Sequence, residues 1–167
     1  MRFLAIWITL KEVILKLAEE KYYTIIFFQL RNGVPLGDPK SLENKLRRSF
    51  GATSFAGFWQ YWNPIWRYGL VKYVYEPTRR ILPWAAAFIT TFIVSGAIHD
   101  LATMAVSRSF AFFFTPWFFL LDVGAVLGQA LGMNFGKRPF WQRAAVNFTY
   151  LLTCLLLTLI VKRELMI

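Results

Sequence analysis

Apolar positions fall three or four residues apart over the first 21 residues of this chain, at Phe3, Leu4, Trp7, Leu10, Val13, Ile14 and Leu17. That spacing draws one greasy face on a helix. Arg2, Lys11, Glu12, Lys16, Glu19 and Glu20 fill the other side, and a helix so divided suits a membrane interface better than a span. Residues 22–30 are again apolar, but at roughly 1.5 Å per residue they cover well under half a bilayer. A short helix and a strand both remain open there. Gly33, Pro35, Gly37 and Pro39 then punctuate a turn-rich linker. Asp38 offers an N-cap, with Pro39 at the first helical position, for a helix running through Leu42, Leu46 and Phe50 and ended by Gly51.

The next segment, residues 55–75, crowds together Trp59, Trp62, Trp66, Tyr61, Tyr68, Tyr73 and Tyr75. Amphipathic rings at this density belong at a membrane–water boundary. Pro64 follows Asn63 and predicts a break or kink whose freed carbonyls need a cavity or polar partner. Three long apolar runs follow, at 81–106, 110–131 and 144–161, each predicted to cross roughly 30 Å of hydrocarbon. The expected fold class is therefore an all-α integral membrane protein of about three transmembrane helices preceded by interfacial ones. Its expected segments are an N-terminal interfacial part at 1–31, a linker with aromatic-rich helices at 32–80, and a three-span region at 81–167.

Composition strengthens this reading. Hydrophobic residues make up 57% of the chain and charged residues 17%, with a mean hydropathy of +0.44, too apolar for an ordinary water-soluble domain. The net charge of +10 is unevenly placed. Lys40, Lys45, Arg47, Arg48, Arg67, Lys72, Arg79 and Arg80 precede the first long run, as expected for a cytoplasmic flank touching anionic lipid. Lys137, Arg138 and Arg143 fall on the same side if the three spans alternate, and Arg108 on the other. Lys162 and Arg163 would then end outside, against the charge rule. No nucleic-acid partner is expected, because the basic residues alternate with Trp and Tyr and form no soluble basic domain. A phosphate-bearing cofactor such as coenzyme A stays open as a partner, behind the lipid flank. Cys154, the sole cysteine, rules out an internal disulfide framework, and no secretory signal is evident, since Lys11 and Glu12 break the first apolar stretch.

The candidate chemistry centres on His99, the single histidine, inside the run at 81–106 and followed by Asp100. An imidazole and a carboxylate at hydrocarbon depth cost several kcal/mol unless they meet a polar cavity or a partner, so a working site is the default reading. The plainer alternative is a histidine satisfied by a neighbouring helix. Ser95 and Thr103 stand four residues before and after His99 and share its helical face, although such hydroxyls more often bond their own backbone. Asp100 points about a quarter-turn away and is expected to anchor the helix end.

Several stretches in order carry a resemblance. These are Gly57-Phe58-Trp59-Gln60-Tyr61-Trp62-Asn63, then Tyr73-Val74-Tyr75-Glu76-Pro77-Thr78-Arg79-Arg80, then Thr91-Phe92-Ile93-Val94-Ser95-Gly96-Ala97-Ile98-His99-Asp100, and Trp117 to Leu121. Together they resemble the membrane-bound O-acyltransferase superfamily, and within it the wax synthase branch, over residues 41–131. The resemblance implies acyl transfer from a coenzyme A thioester to a hydroxyl acceptor such as a lipid alcohol or sterol. His99 is carried over as catalytic base and Asn63 as its polar companion. Trp59, Trp62, Ser95, Thr103, Arg79 and Arg80 are the substrate-binding candidates, with acyl-CoA as co-substrate and no permanently bound cofactor or metal. Asp122 departs from the resemblance, standing where the branch often carries histidine.

The chemistry suits these residue types. An alcohol is a weak nucleophile until it loses its proton, and imidazole, with an ordinary pKa near 6.5, accepts one at neutral pH. Attack places negative charge on the thioester oxygen, which an amide N–H stabilises in a dry cavity; Asn63 could supply that donor, orient His99, or simply cap the segment that begins at Pro64. The expectation is that Asn63 and His99 converge on one cavity. Three spans cannot enclose a histidine, so either a homo-oligomer or another membrane subunit is expected to complete the chamber, or the chain is a fragment of a longer protein. The alternative is a non-catalytic subunit that keeps the old fold as a packing module.

Overall fold

The computed structural model describes residues 2–110 and 112–164, without the side chains of 2–14 and 17. The greasy face expected near the N-terminus lies wholly on side chains outside those described. The elements are α1 (Arg2–Asn32), α2 (Ser41–Phe50), α3 (Phe55–Trp62), α4 (Pro64–Leu70), a π-turn (Val71–Tyr75), α5 (Glu76–Arg79), α6 (Trp84–Ser107), α7 (Phe114–Ala130) and α8 (Phe140–Glu164). The described residues contain no strand, which settles residues 22–30 as the end of one continuous 31-residue helix.

Two sequence expectations change at the helix ends. Asp38 does not cap α2: its Oδ1 accepts from the Lys40 N–H at 2.8 Å, closing a turn that delays the helix to Ser41, with Lys40 at the cap position. Pro39 therefore sits in the turn and not at the first helical position, because Asp side chains bond backbone two residues on as readily as they cap. Gly51 ends α2 as expected.

The long runs fare unequally. α6 and α8, of 24 and 25 residues, are long and apolar enough to cross a membrane, whereas α7 is a shorter apolar helix. Its 17 residues extend about 26 Å at 1.5 Å each. α7 loses its expected first turn because Phe110, Phe112 and Phe113 remain outside the helix, and the reason lies in α6. The Asp100 carboxylate accepts from the backbone N–H groups of Phe113, Phe114 and Thr115 at 2.8–2.9 Å and from the Thr115 hydroxyl at 2.7 Å. These are the amides that the start of a helix leaves without intrahelical partners, and an anion there also meets the positive end of the helix dipole. Asp100 thus anchors the start of the next helix instead of the end of its own.

α6 and α7 form the most extensive helix pair. Gly96 makes this approach possible, since a Cβ there would lie 2.6 Å from the Thr115 Cα. α7 also packs on α3 and α8, and α1 on α4. The core gathers Leu121, Tyr150 and Cys154 with Phe55, Trp59, Trp117 and Phe118 around them. Buried polar residues again serve neighbouring helices: Asn147 of α8 donates to the carbonyls of Phe50 and Ala52 at 3.0 and 3.1 Å, where α2 ends with its last carbonyls unfilled. Glu20 of α1 pairs with Lys72 of the π-turn, and this bond raises the lysine above its ordinary range.

Candidate active site

The aromatic segment is built by two successive caps. Ser54 caps α3 by accepting from Gly57 N–H at 3.1 Å. Asn63 then caps α4, its Oδ1 accepting from Trp66 N–H at 3.2 Å with Pro64 at the first helical position. The break at Pro64 is the start of a new helix. The Asn63 oxygen is thereby committed, and its amide nitrogen makes no hydrogen bond among the described residues.

Capping by Asn63 fixes Trp66 against α6. The Trp66 indole N–H donates to Ser95 Oγ at 2.8 Å, and its ring stands edge-on to His99, with centroids 5.5 Å apart at 86°. Phe114 and Phe118 of α7 also flank the imidazole, with centroids at 5.4 and 5.2 Å. His99 Nδ1 lies 2.7 Å from the Ser95 carbonyl oxygen. A carbonyl only accepts, so this bond places the proton on Nδ1 and leaves the lone pair of the neutral ring on Nε2. Nε2 makes no hydrogen bond among the described residues.

Beside this cluster is a cavity of about 330 Å³ whose walls include Trp59, Trp62, Asn63, Thr91, Ser95 and Phe118. Asn63 and Ser95 therefore share one cavity. His99 is not part of its lining; it lies one turn beyond Ser95 and touches the cavity wall through Phe118. Arg67 also faces the cavity. It is half-buried, and burial, followed by the neighbouring Arg31 charge, lowers its hold on its proton.

The remaining candidates separate clearly. Trp59 and Trp62 line the cavity; Trp59 Nε1 is buried without a hydrogen-bond partner among the described residues, and Trp62 carries Lys45 Nζ 5.5 Å above its ring. Thr103 is exposed and bonds the His99 carbonyl of its own helix at 2.8 Å. Arg79 and Arg80 are exposed and outside the lining, Arg79 bonding the Leu82 carbonyl at 3.1 Å. Asp122 is fully buried, and both its carboxylate oxygens lack a partner among the described residues. Sequence reasoning passed over Trp66 and Arg67 as site residues. A tryptophan three positions after an Asn-Pro start was the available signal for a ring fixed by a cap, but its partner Ser95 lies 29 positions away.

Such an arrangement defines an all-α protein of membrane type, with a histidine, a serine and an asparagine gathered by a tryptophan beside an aromatic cavity. Residues 43–121 match the sequence model of the membrane bound O-acyl transferase family. That stretch, from α2 to the middle of α7, holds every catalytic and substrate-binding candidate named from the sequence, and over it the resemblance read from the sequence holds at the level of the superfamily. The match does not select the wax synthase branch. The chain matches no curated protein and no solved structure.

Proposed function

We propose that this chain is a multi-pass membrane O-acyltransferase that moves an acyl group from acyl-CoA to a hydroxyl acceptor, with His99 as general base. The observation that carries the proposal is the bond from His99 Nδ1 to the Ser95 carbonyl at 2.7 Å, which leaves Nε2 as the proton acceptor. The acceptor hydroxyl gives its proton to Nε2 as its oxygen bonds to the thioester carbon. The carbon–sulfur bond then breaks, and the leaving thiolate takes the proton back from the imidazolium. The free amide nitrogen of Asn63 supplies an N–H for the oxyanion. Trp59, Trp62 and Ser95 line the passage for the apolar part of a substrate. Thr103 plays no direct part, and Arg79 and Arg80 act at the headgroup flank.

Membrane insertion is supported by the outward faces of α6 and α8, where Ile93, Ile98, Leu101, Leu152, Leu156 and Ile160 are all exposed. Lipid, or a second copy or another subunit, covers such faces at low cost. Because His99 is outside the cavity lining, a further wall is needed to bring an acceptor to Nε2, and an oligomeric partner supplies it.

The test is acyl transfer by the full chain in its native assembly, given several acyl-CoA donors and alcohol acceptors. His99→Ala should lower turnover by roughly 10²- to 10⁴-fold, the usual scale for a general base, with assembly unchanged. The second reading, a non-catalytic packing subunit, is favoured by the same lining: it expects no change in any lipid product. Wild-type protein that shows no turnover with any donor would end the catalytic assignment.

A further inference from the structure

Two arginines meet beside the aromatic cavity, over one ring of α1. Arg31 and Arg67 each hold their guanidinium carbon 5.5 Å from the centre of the same ring, that of Phe27. Arg31 is tied to the cavity wall by its bond to Gln60 Oε1 at 2.9 Å, and both Gln60 and Arg67 line the cavity. Among the described residues, no carboxylate pairs with either guanidinium; the single ion pair there is Lys72 with Glu20.

Like charges converging on one half-buried spot are costly, and the ring face of Phe27 offsets only part of that cost. Desolvation, with Arg31 adding to it, acts on Arg67 in the direction expected of a cation lacking its anion. An arginine stays charged under such pressure, and a bound anion would relieve it. Guanidinium groups present planar forks that match phosphate oxygens two at a time. The cavity beyond them is walled by Trp59, Trp62, Tyr75, Trp84, Phe88 and Phe92, which suits an apolar chain.

We infer that Arg67 and Arg31 form a binding site for the phosphoryl group of an amphiphile whose apolar chain enters the aromatic cavity. In an acyltransferase, that phosphoryl group belongs either to the nucleotide portion of acyl-CoA or to a phospholipid headgroup. The assignment to acyl-CoA rests on the function proposed above; the anion site itself does not. The phosphate contact falls to Arg67 in the cavity wall and to Arg31 beside it, rather than to Arg79 and Arg80.

The experiment measures binding without turnover. Purified full-length chain in neutral detergent micelles is titrated with palmitoyl-CoA, with dioleoyl phosphatidate and with hexadecanol, following tryptophan fluorescence. Arg67→Gln and Arg31→Gln should each weaken the phosphate-bearing ligand by roughly 10- to 100-fold, the scale of a hydrogen bond to a charged group, and leave hexadecanol unaffected. Arg67→Lys should recover part of the loss, and Lys137→Gln, exposed and away from the cavity, should change nothing. Loss confined to palmitoyl-CoA identifies the nucleotide phosphates as the ligand, and loss confined to phosphatidate identifies a headgroup; loss of both identifies the shared phosphate. Unchanged affinity for both phosphate ligands, or an equal loss for hexadecanol, overturns the proposal. Should Arg67→Gln fail to fold, Arg31→Gln alone decides between these outcomes. Binding that persists in His99→Ala, with a wild type that shows no turnover, would sink the catalytic reading and leave the anion site standing.

Discussion

Trp66 and Ser95, 29 positions apart, are joined by an indole N–H to hydroxyl bond of 2.8 Å, and through it the aromatic segment is registered against the helix that carries His99. Because Ser95 also offers its carbonyl to His99 Nδ1 at 2.7 Å, one residue holds both the tryptophan and the imidazole. Trp66→Phe keeps a ring beside His99 but removes the donor. Its expected effect is a loss of about 1 kcal/mol of stability, together with reduced acyl transfer. A double-mutant cycle with Ser95→Ala checks the pairing: thermal unfolding in detergent should give a coupling of about 0.5–1.5 kcal/mol. Additive losses would mean that the bond contributes nothing.

Asp100 accepts four hydrogen bonds from the first turn of α7 and its approach. Asp100→Asn retains the shape but replaces one acceptor oxygen with a donor that faces N–H groups. It should cost about 1–3 kcal/mol for the donors left unpartnered, with Asp100→Ala more severe. The readout is the unfolding temperature, together with protease sensitivity between α6 and α7. An unshifted melting curve would show that α7 does not depend on this anchor.

Asp122, midway along α7, offers the opposite expectation. Its carboxylate is fully buried and both oxygens are without partners among the described residues, so the group costs stability instead of contributing it. Asp122→Val should stabilise the chain by about 1–2 kcal/mol, and Asp122→Asn, of nearly equal volume, should be close to neutral. Both are measured by thermal unfolding. A destabilised Asp122→Val protein would reveal a partner for the carboxylate in the assembled membrane complex.

The sequence alone determined the helical class, the apolar runs that became α6 and α8, the break at Asn63-Pro64, and the motifs at Asn63 and His99. All of these are local: hydrophobic runs, three- and four-residue spacing and Pro or Gly punctuation act within a few turns of chain. The tertiary structure decided which polar groups meet. A carboxylate beside His99 looked like an anchor for its own helix and instead holds the start of α7. Asn147 drew no attention in an apolar run, yet it fills the carbonyls at the end of α2, 95 and 97 positions away. Arg79 and Arg80 stood out as a motif while Arg67 faces the cavity, and α7 came out shorter than its hydrophobic run. The physical reason is common to all four. A buried polar group takes whichever partner packing brings within hydrogen-bond distance, and that depends on helix crossings such as the one Gly96 permits, which no single helix's pattern records.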